Sequence, residues 1–348
     1  MTHRVALVAG DGIGPEISEA TRSVVEATGV RVEWVETPAG KAAFDRYGDE
    51  LPAESLERMV SIGVELKSPL LAERQSGGVT VRRGGESRHY PSVNNALRRE
   101  LGAYVNVRPV RGFAGVSGGY AGLDLVIMRE VTEDTYAGIE RRVSADRGEA
   151  TKVITRQASE RVARYACEYA VRHGRKTVSA IHKANVLHHT DGLFLEVVKG
   201  VVEEYGSLSF SDKMIDAACY LVVKQPEQFD VLVMPNQYGD IYSDLVAGLV
   251  GSLGLAPGSN VGDEVSMFEA AHGAAPDLAG RGLANPIGLI LSGAMMLDHL
   301  GEPAAATRVR EGVTAVLERR EVLSGDLGGS ATTRQVAEAI CQAMVVRQ

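Results

Sequence analysis

The segment FDVLVMPNQYGDIYSD, residues 229–244, reads as a buried strand that runs directly into a helix. Its first half is apolar and β-branched, which is typical of a buried strand, and Pro235 ends that strand. We expect Asn236 to cap the helix that follows. Gly239 then allows the backbone to approach another part of the molecule closely.

Two carboxylates lie four residues apart in this segment, at Asp240 and Asp244, so they project from one face of the helix. Two neighbouring like charges are costly unless a cation neutralises them, and Mg²⁺ or Mn²⁺ prefers such oxygen ligands. An exposed helix start, where the dipole favours acidic residues, accounts for the same pattern. The spacing alone leaves both interpretations open.

The rest of the chain alternates apolar strand-like runs with amphipathic helical segments. This alternation predicts a mainly parallel sheet that helices cover, and 348 residues are enough for two domains or one elaborated α/β unit. Near the N-terminus, Gly10, Gly12 and Gly14 follow a strand, and Glu36 comes later. These glycines do not have the G-x-G-x-x-G spacing, so a tight turn near a ligand is favoured over an ordinary Rossmann site.

Composition excludes several classes of function. The formal net charge is −8, so no basic field is available to hold nucleic acid or an anionic membrane. The most apolar segment, residues 284–297, is too short to span a bilayer, and no leader peptide is visible. Three scattered cysteines, without a paired framework, fit a reducing cytoplasm.

Three arginines lie near the ends of predicted elements: Arg98, Arg108 and Arg129. A guanidinium binds a carboxylate through two hydrogen bonds, so the three suit a substrate with several carboxylates; surface ion pairing is the alternative. Lys183 follows a strand and is a candidate base if burial lowers its pKa. Residues 75–90 are interpreted as a solvated Arg-rich loop, and residues 270–278 as a loop of small residues that could hold a nucleotide.

Several motifs together resemble one family. The central motif NxxGDIxSD, residues 236–244, is accompanied by EDxYxG at 133–138, HKAN at 182–185, HGxAP at 272–276, GDGIGPE at 10–16 and DLGGSATT at 326–333. On these motifs the chain resembles the β-decarboxylating 2-hydroxyacid dehydrogenases, which include isocitrate, homoisocitrate and 3-isopropylmalate dehydrogenases.

The resemblance implies the isopropylmalate-dehydrogenase-like two-domain fold, a helix-covered mixed sheet rather than a Rossmann nucleotide domain. It implies a large, cofactor-side domain from residues 1–98 and 251–348. Residues 99–250 would form a small domain that carries the dimer interface and a clasp at about 142–155. It also implies a homodimer or larger homo-oligomer whose active sites use both subunits.

The same resemblance assigns roles within an oxidative decarboxylation. Asp240 and Asp244 would bind Mg²⁺ or Mn²⁺, with Asp216 from the partner subunit. Lys183, also from the partner, would be the base for the hydroxyl, and Tyr136 the proton donor. The remaining assignments are substrate binding by Ser92, Asn94, Arg98, Arg108 and Arg129, and cofactor binding by Asn185, Glu269, His272, Gly273, Ala275, Pro276, Asp277 and Asn285.

Asp277 lies where NAD-using relatives carry an acidic residue, so the resemblance implies NAD as the cofactor. A carboxylate accepts hydrogen bonds from ribose hydroxyls and repels a 2′-phosphate. Ser92 and Asn94 resemble the isocitrate-type pattern, so isocitrate is the predicted substrate. Val131, Gln237 and Tyr242 depart from the family pattern, and the Arg-rich loop is an addition. Homoisocitrate, 3-isopropylmalate or an analogue such as phosphonomethylmalate therefore remain alternatives. A non-catalytic regulatory subunit is an alternative of another class, which the intact catalytic set disfavours.

Overall fold

The computed structural model describes residues 1–71 and 78–345. Contacts divide the chain into two compact units. Unit 1 comprises residues 1–102, 112–121 and 250–348, and unit 2 comprises residues 103–111 and 122–249. The domain ranges expected from the sequence, with their dimer interface and clasp, stay a prediction.

The elements follow one another in the order expected of an α/β chain. The first part of the chain contains β1 (Thr2–Val8), α1 (Gly14–Ala27), β2 (Arg31–Glu36), α2 (Lys41–Tyr47), α3 (Ala53–Ile62), β3 (Val64–Lys67), β4 (Val79–Arg83), β5 (Glu86–Tyr90) and α4 (Val93–Glu100). The middle contains β6 (Val105–Arg111), β7 (Asp124–Glu130), β8 (Glu140–Ser144), β9 (Arg147–Ala150), α5 (Arg156–Arg172), β10 (Thr177–His182), α6 (Asp191–Glu203), β11 (Ser209–Met214), α7 (Ile215–Lys224), β12 (Val231–Met234) and α8 (Asn236–Leu249). The last part contains β13 (Pro257–Val261), β14 (Ser266–Ala270), α9 (Ile287–His299), α10 (Pro303–Arg319) and α11 (Thr333–Val345).

Five strands of unit 1 lie side by side in the order β13, β14, β3, β1, β2, and they are parallel except for the antiparallel β13–β14 pair. Helices α1, α9, α10 and α11 supply most of one hydrophobic core, and α3 and α4 contribute to a second. Helix α9 is apolar around most of its circumference, and ten of its thirteen residues are buried, as expected for a central helix.

Five strands of unit 2 lie side by side in the order β11, β10, β12, β7, β6, and among these five the β6–β7 pair is antiparallel while the other pairs are parallel. Strands β8 and β9 form a separate antiparallel pair. All four residues of β12 are buried, as the apolar run in the opening segment predicts. Helices α5 and α6 pack together, and so do α7 and α8. The predicted α/β fold with a helix-covered mixed sheet is confirmed.

Two sequence predictions are wrong. Within the predicted loop at 75–90, residues 75–77 lie outside the described residues, and the remainder is an antiparallel hairpin, β4–β5. Val79, Val81 and Tyr90 of the hairpin are buried in the second core of unit 1, which explains why it is ordered as a sheet. Asn236 does not cap α8, because its side-chain oxygen accepts hydrogen bonds from Arg129 instead.

Among the described residues, no helix combines the length and the apolar character that crossing a membrane requires.

Candidate active site

Two buried arginines and two partly exposed aspartates form the centre of the site in unit 2. Arg108 and Arg129 come from the antiparallel strands β6 and β7, and their side chains are 8% and 3% exposed. Asp240 and Asp244 project from α8, one turn apart, and are 36% and 53% exposed. Arg129 forms an ion pair with Asp240, and Arg108 lies 3.3 Å from Asp244 and 3.6 Å from Asp240. The structure therefore brings together the predicted pair of carboxylates and two of the three predicted arginines.

Neutral side chains fix the orientation of both guanidinium groups. Arg108 donates to Asn106 at 2.6 Å and to Ser243 at 2.5 Å. Arg129 donates through two nitrogens to Asn236, at 3.0 Å and 2.7 Å. Sequence reasoning did not identify Asn106 or Ser243 as site residues. The position of Asn106, two residues before Arg108 on the same face of one strand, is the signal that could have found it.

Tyr136 lies against the same carboxylate. Its hydroxyl donates to Asp240 at 3.2 Å, and the Arg129 guanidinium lies 5.7 Å from the centre of its ring. Burial raises the pKa of Tyr136, and the negative charge of Asp240 adds to the increase. The phenol therefore keeps its proton at neutral pH, which is the state a proton donor requires.

Burial likewise raises the pKa of Asp244, and Arg108 opposes that shift by favouring the charged form.

Gly239 makes the close approach that its place in the opening segment predicted. A Cβ atom built at this position would lie 2.7 Å from both Cβ and Cγ of Arg129. Any larger residue would therefore push α8 away from β7. The glycine allows the helix that carries Asp240 and Asp244 to lie directly on the strand that carries Arg129.

Lys183 and Asp216 form a separate pair in unit 2. Lys183 follows β10, Asp216 is in the first turn of α7, and their charged atoms are 2.7 Å apart. The pKa of Asp216 is lowered chiefly by the hydrogen bond from Lys183. Nowhere in residues 1–71 and 78–345 do three His, Cys, Asp or Glu side chains form a metal-binding group. The prediction that Lys183 and Asp216 act in a partner's site stays a prediction.

The residues of α8 fit a hard divalent cation. Asp240 and Asp244 offer only oxygen atoms and are partly exposed, while the arginines beneath them are buried. Mg²⁺ is commonly held by one or two carboxylates, with substrate and water completing its coordination. Asp240 and Asp244 are therefore suitable as the ligands that one subunit would contribute.

Unit 1 contains a cavity of about 750 Å³ beside the C-terminal end of β14. This volume is within the ordinary range for small-molecule and cofactor sites. Four of the predicted cofactor residues line it, namely His272, Gly273, Ala275 and Asn285. Ile13, in the Gly-rich turn before α1, also lines the cavity, and the prediction that this turn lies near a ligand stays a prediction.

Polar groups at the cavity fit a nucleotide. The Nε2 atom of His272 is buried and has no hydrogen-bond partner within the described structure. Burial lowers the pKa of His272, so its imidazole is neutral and can accept a hydrogen bond. Asp326, which sequence reasoning missed, accepts from Asn285 at 2.9 Å and from Ser252 at 2.5 Å. It lies in the DLGG motif, and that motif was the available signal.

Arg98 and Glu269 belong to a buried ionic cluster in unit 1. Glu269 accepts from Lys67 at 2.5 Å, from Arg98 at 3.1 Å and from Asn260 at 2.6 Å. Burial opposes ionisation of Glu269, but Lys67 and Arg98 outweigh it and lower its pKa. The predicted substrate role of Arg98 and cofactor role of Glu269 stay predictions, because both side chains bind each other here.

Ser92 and Asn94 lie at the start of α4. Ser92 caps this helix as predicted, since its hydroxyl accepts from the backbone N–H of Asn95 at 3.2 Å. The Asn94 side-chain oxygen is buried without a partner in the described structure. An unpaired buried amide is costly, so a ligand that pairs with it would be favoured.

The remaining predicted site residues, and the residues that depart from the family pattern, differ in their exposure and contacts. Pro276 and Asp277 are exposed in a short 3₁₀ helix, and Asn185 is exposed in the turn after Lys183. Tyr242 is fully buried and donates to the Ala218 carbonyl at 3.4 Å, so its departure from the pattern concerns the packing of α8 on α7. Val131 is buried, and the Gln237 amide oxygen accepts from Thr135 at 3.2 Å.

Comparison with known proteins defines the class of protein first. Residues 4–340 match the isocitrate/isopropylmalate dehydrogenase family model. The chain therefore belongs to the isocitrate/isopropylmalate dehydrogenase family, and it is a β-decarboxylating dehydrogenase.

Individual relatives within the family carry different substrates in their names. The chain is 46% identical over 347 residues to the isocitrate/homoisocitrate dehydrogenase of Thermus thermophilus, covering 99% of both chains. It is 45% identical over 336 residues to isocitrate dehydrogenase (NAD) catalytic subunit 5, mitochondrial, of Arabidopsis thaliana, covering 96% of this chain and 87% of that one. The crystal structure of isocitrate dehydrogenase from Methylococcus capsulatus superposes with a TM-score of 0.90 at 44% identity, covering 99% of this chain and 100% of that one.

Proposed function

We propose that this enzyme catalyses the NAD-dependent, divalent-metal-dependent oxidative decarboxylation of isocitrate to 2-oxoglutarate, CO₂ and NADH. One observation supports this proposal above all. Asp240 and Asp244 project from one face of α8 toward two buried arginines, and the Tyr136 hydroxyl lies on Asp240. Carboxylates for a cation, guanidinium groups for an anionic substrate and a proton donor are thus assembled within one unit.

Each residue has a chemical task in this reaction. Asp240 and Asp244 hold the cation, and Arg108 and Arg129 bind substrate carboxylates through paired hydrogen bonds. When bound, the cation stabilises negative charge on the substrate oxygens and NAD accepts the hydride. Lys183 accepts the proton of the 2-hydroxyl, and Tyr136 donates one to the carbon from which CO₂ has departed.

Other residues support our proposals for the identity of the cofactor and for the assembly of subunits. We infer that NAD binds in the cavity lined by His272 and Asn285, and that Asp277 disfavours the 2′-phosphate of NADP. We also infer a homodimer whose sites are completed by Lys183 and Asp216 of the other subunit. The three cysteines are free thiols, which supports a reducing, cytoplasmic location.

Homoisocitrate is the second candidate substrate, because the Thermus thermophilus relative at 46% identity carries that substrate in its name. The presence of both Ser92 and Asn94 at the start of α4 supports isocitrate as the first candidate substrate. Both substrates have the same malate-like core and differ only in the length of the third carboxylate arm.

A panel of substrates tests the proposal. NADH formation is measured with isocitrate, homoisocitrate, 3-isopropylmalate, malate and phosphonomethylmalate, with Mg²⁺ or Mn²⁺ and with NAD or NADP. We expect the highest kcat/KM with isocitrate and NAD. Turnover of another substrate without isocitrate, or an NADP kcat/KM that equals or exceeds that for NAD, would contradict the assignment.

Replacing a proposed metal ligand tests whether turnover depends on a bound cation. Asp240→Asn should lower kcat/KM by at least about 10³-fold, because a neutral amide binds a hard cation poorly. The exposed Asp45→Asn variant is the matched control and should keep full activity. Metal-dependent turnover retained by Asp240→Asn would contradict the metal assignment.

A further inference from the structure

A buried charged cluster in unit 2 lies beside the site and is not part of the proposed chemistry. It contains Asp134, Asp191, Lys152 and Tyr238. Both aspartate side chains are 0% exposed and Lys152 is 14% exposed. Two buried carboxylates tolerate each other only when a cation compensates them, and Lys152 supplies that charge.

Lys152 contacts the Oδ1 oxygen of each aspartate. Its ammonium lies 2.7 Å from Oδ1 of Asp191 and 3.5 Å from Oδ1 of Asp134. It also lies 4.3 Å from the centre of the Tyr238 ring, close enough for a cation–π contact. The ammonium is therefore held by two charges and one aromatic face.

The second oxygen of each aspartate holds the backbone of a site segment. Oδ2 of Asp191 accepts from the backbone N–H of Lys183 at 2.7 Å. Oδ2 of Asp134 accepts from the backbone N–H of Gln237 at 2.9 Å, where α8 begins. The ammonium thus links the segment that ends in Lys183 to the helix that carries Asp240 and Asp244.

Asp134 also sets the position of Tyr136. Its φ of +73° lies in the left-handed region, which is unfavourable for a non-glycine residue and persists only where the surroundings hold it. The short 3₁₀ helix that contains Tyr136 begins at this residue. Contacts from Lys152, from the N–H of Gln237 and from the N–H of Thr135 hold the strained backbone in place.

We propose that Lys152 is a positioning residue for the reaction proposed above, on which this inference rests. Through Asp134 and Asp191 its single charge fixes three segments that carry assigned residues: the Tyr136 turn and the start of α8, which serve this subunit's site, and the Lys183 turn, which serves the partner's site. Within the described residues, the ion pairs and the cation–π contact of Lys152 are with Asp134, Asp191 and Tyr238, which are not assigned to substrate or metal. Its removal should therefore slow the chemical step more than it weakens substrate binding.

Kinetics of the full-length enzyme test this role. Lys152→Met should lower kcat by about 100-fold, with KM for isocitrate changed by less than about threefold, because small displacements of catalytic groups have effects of this size. Lys152→Arg, which keeps the charge, should recover kcat to within about tenfold of the parent enzyme. The control is Lys199→Met, at an exposed lysine 3.8 Å from Glu203, which should leave both constants unchanged.

Hydrogen exchange measures positioning without relying on activity. In Lys152→Met the backbone amides of Lys183 and Gln237 should exchange at least about tenfold faster, since the carboxylates that hold them lose their counter-charge. An enzyme that forms no NADH with any panel substrate would refute the proposed function, while exchange would still decide whether Lys152 holds these segments. Unchanged kcat in an active enzyme, or unchanged exchange at both amides, overturns the proposal.

A second variant tests the proposal if Lys152→Met does not fold. Lys152→Met/Asp191→Asn restores the net charge of the cluster to the parent value, and the amide oxygen of the introduced asparagine can still accept from the backbone N–H of Lys183. We expect this variant to fold and to keep the low kcat. A kcat equal to that of the parent enzyme overturns the proposal.

Discussion

Glu65 and Glu269 lie on the neighbouring strands β3 and β14, and their environments drive their ionisation in opposite directions. Glu269 binds Lys67 and Arg98 directly, so it is ionised despite burial. Both carboxyl oxygens of Glu65 are buried and have no hydrogen-bond partner in the described structure. Burial raises the pKa of Glu65 to about 8, with Lys67 opposing the shift and Glu269 adding to it.

Replacement of Glu65 should therefore change how stability depends on pH. The folded-state pKa of about 8 lies above the unfolded value of 4.5, so the contribution of Glu65 to stability is complete below pH 4.5. That contribution falls as the pH rises toward 8, by up to ~1.4 kcal/mol per pH unit. Glu65→Gln lacks this loss, so its thermal midpoint should rise relative to the parent enzyme between pH 5 and pH 8.

Thermal unfolding at several pH values measures the difference. Glu318→Gln, at an exposed glutamate, is the control and should follow the parent enzyme at every pH. A constant difference between Glu65→Gln and the parent enzyme from pH 5 to pH 8 would show that Glu65 is ionised in the folded state.

At the scale of elements, α8 and β7 determine the geometry of the site. The helix begins where Asp134, distant in sequence, accepts from the backbone N–H of Gln237, while its own Asn236 holds Arg129. Gly239 then lets the helix lie against β7. One helix thus has its start held by Asp134, while β7 supplies both the surface it lies against and its partner arginine.

Gly239→Ala should separate α8 from β7. The new methyl group would lie 2.7 Å from two atoms of Arg129, so the helix or the arginine must move. We expect kcat/KM to fall by about 10²-fold or more, because the carboxylates and guanidinium lose their alignment. Gly248→Ala in the same helix is the matched control. Apart from the neighbouring backbone of α8 itself, no atom of the described residues lies within 4 Å of its added Cβ, and alanine favours a helix, so activity should be kept. Full activity of Gly239→Ala would show that the close approach is dispensable.

At the scale of the whole molecule, unit 2 exposes apolar side chains along α7 and α8. Tyr220 is 65% exposed, Ile241 61% and Val223 42%, and Leu245 is also exposed. Large apolar side chains clustered on two adjacent helices mark a surface that another protein covers. This face supports the proposed homodimer.

Tyr220→Glu should therefore weaken self-association, because a charge would be buried in the interface. Sedimentation over a range of protein concentrations should show monomers where the parent enzyme is dimeric, and activity should fall in proportion. Val171→Glu, at an exposed residue of α5, is the control and should remain dimeric. A parent enzyme that is monomeric at micromolar concentration, or a fully active monomeric variant, would contradict a site shared between subunits.

The sequence by itself determined the local features of this protein. Strand and helix periodicities, the glycine at 239 and the i, i+4 carboxylates at 240 and 244 depend on near neighbours, so the chain order shows them. The motif resemblance placed the chain in its family for the same reason, since each motif is a short run of fixed spacing.

Only the tertiary structure decided which side chains meet. Arg98 and Arg108 look alike in sequence, yet Arg98 binds Glu269 in unit 1 while Arg108 binds Ser243 and Asp244 in unit 2. Likewise, the residue that holds the start of α8 is Asp134 rather than Asn236, because strand pairing brings Asp134 within 2.9 Å of Gln237. Such contacts join residues about a hundred positions apart, and sequence spacing carries no information about them.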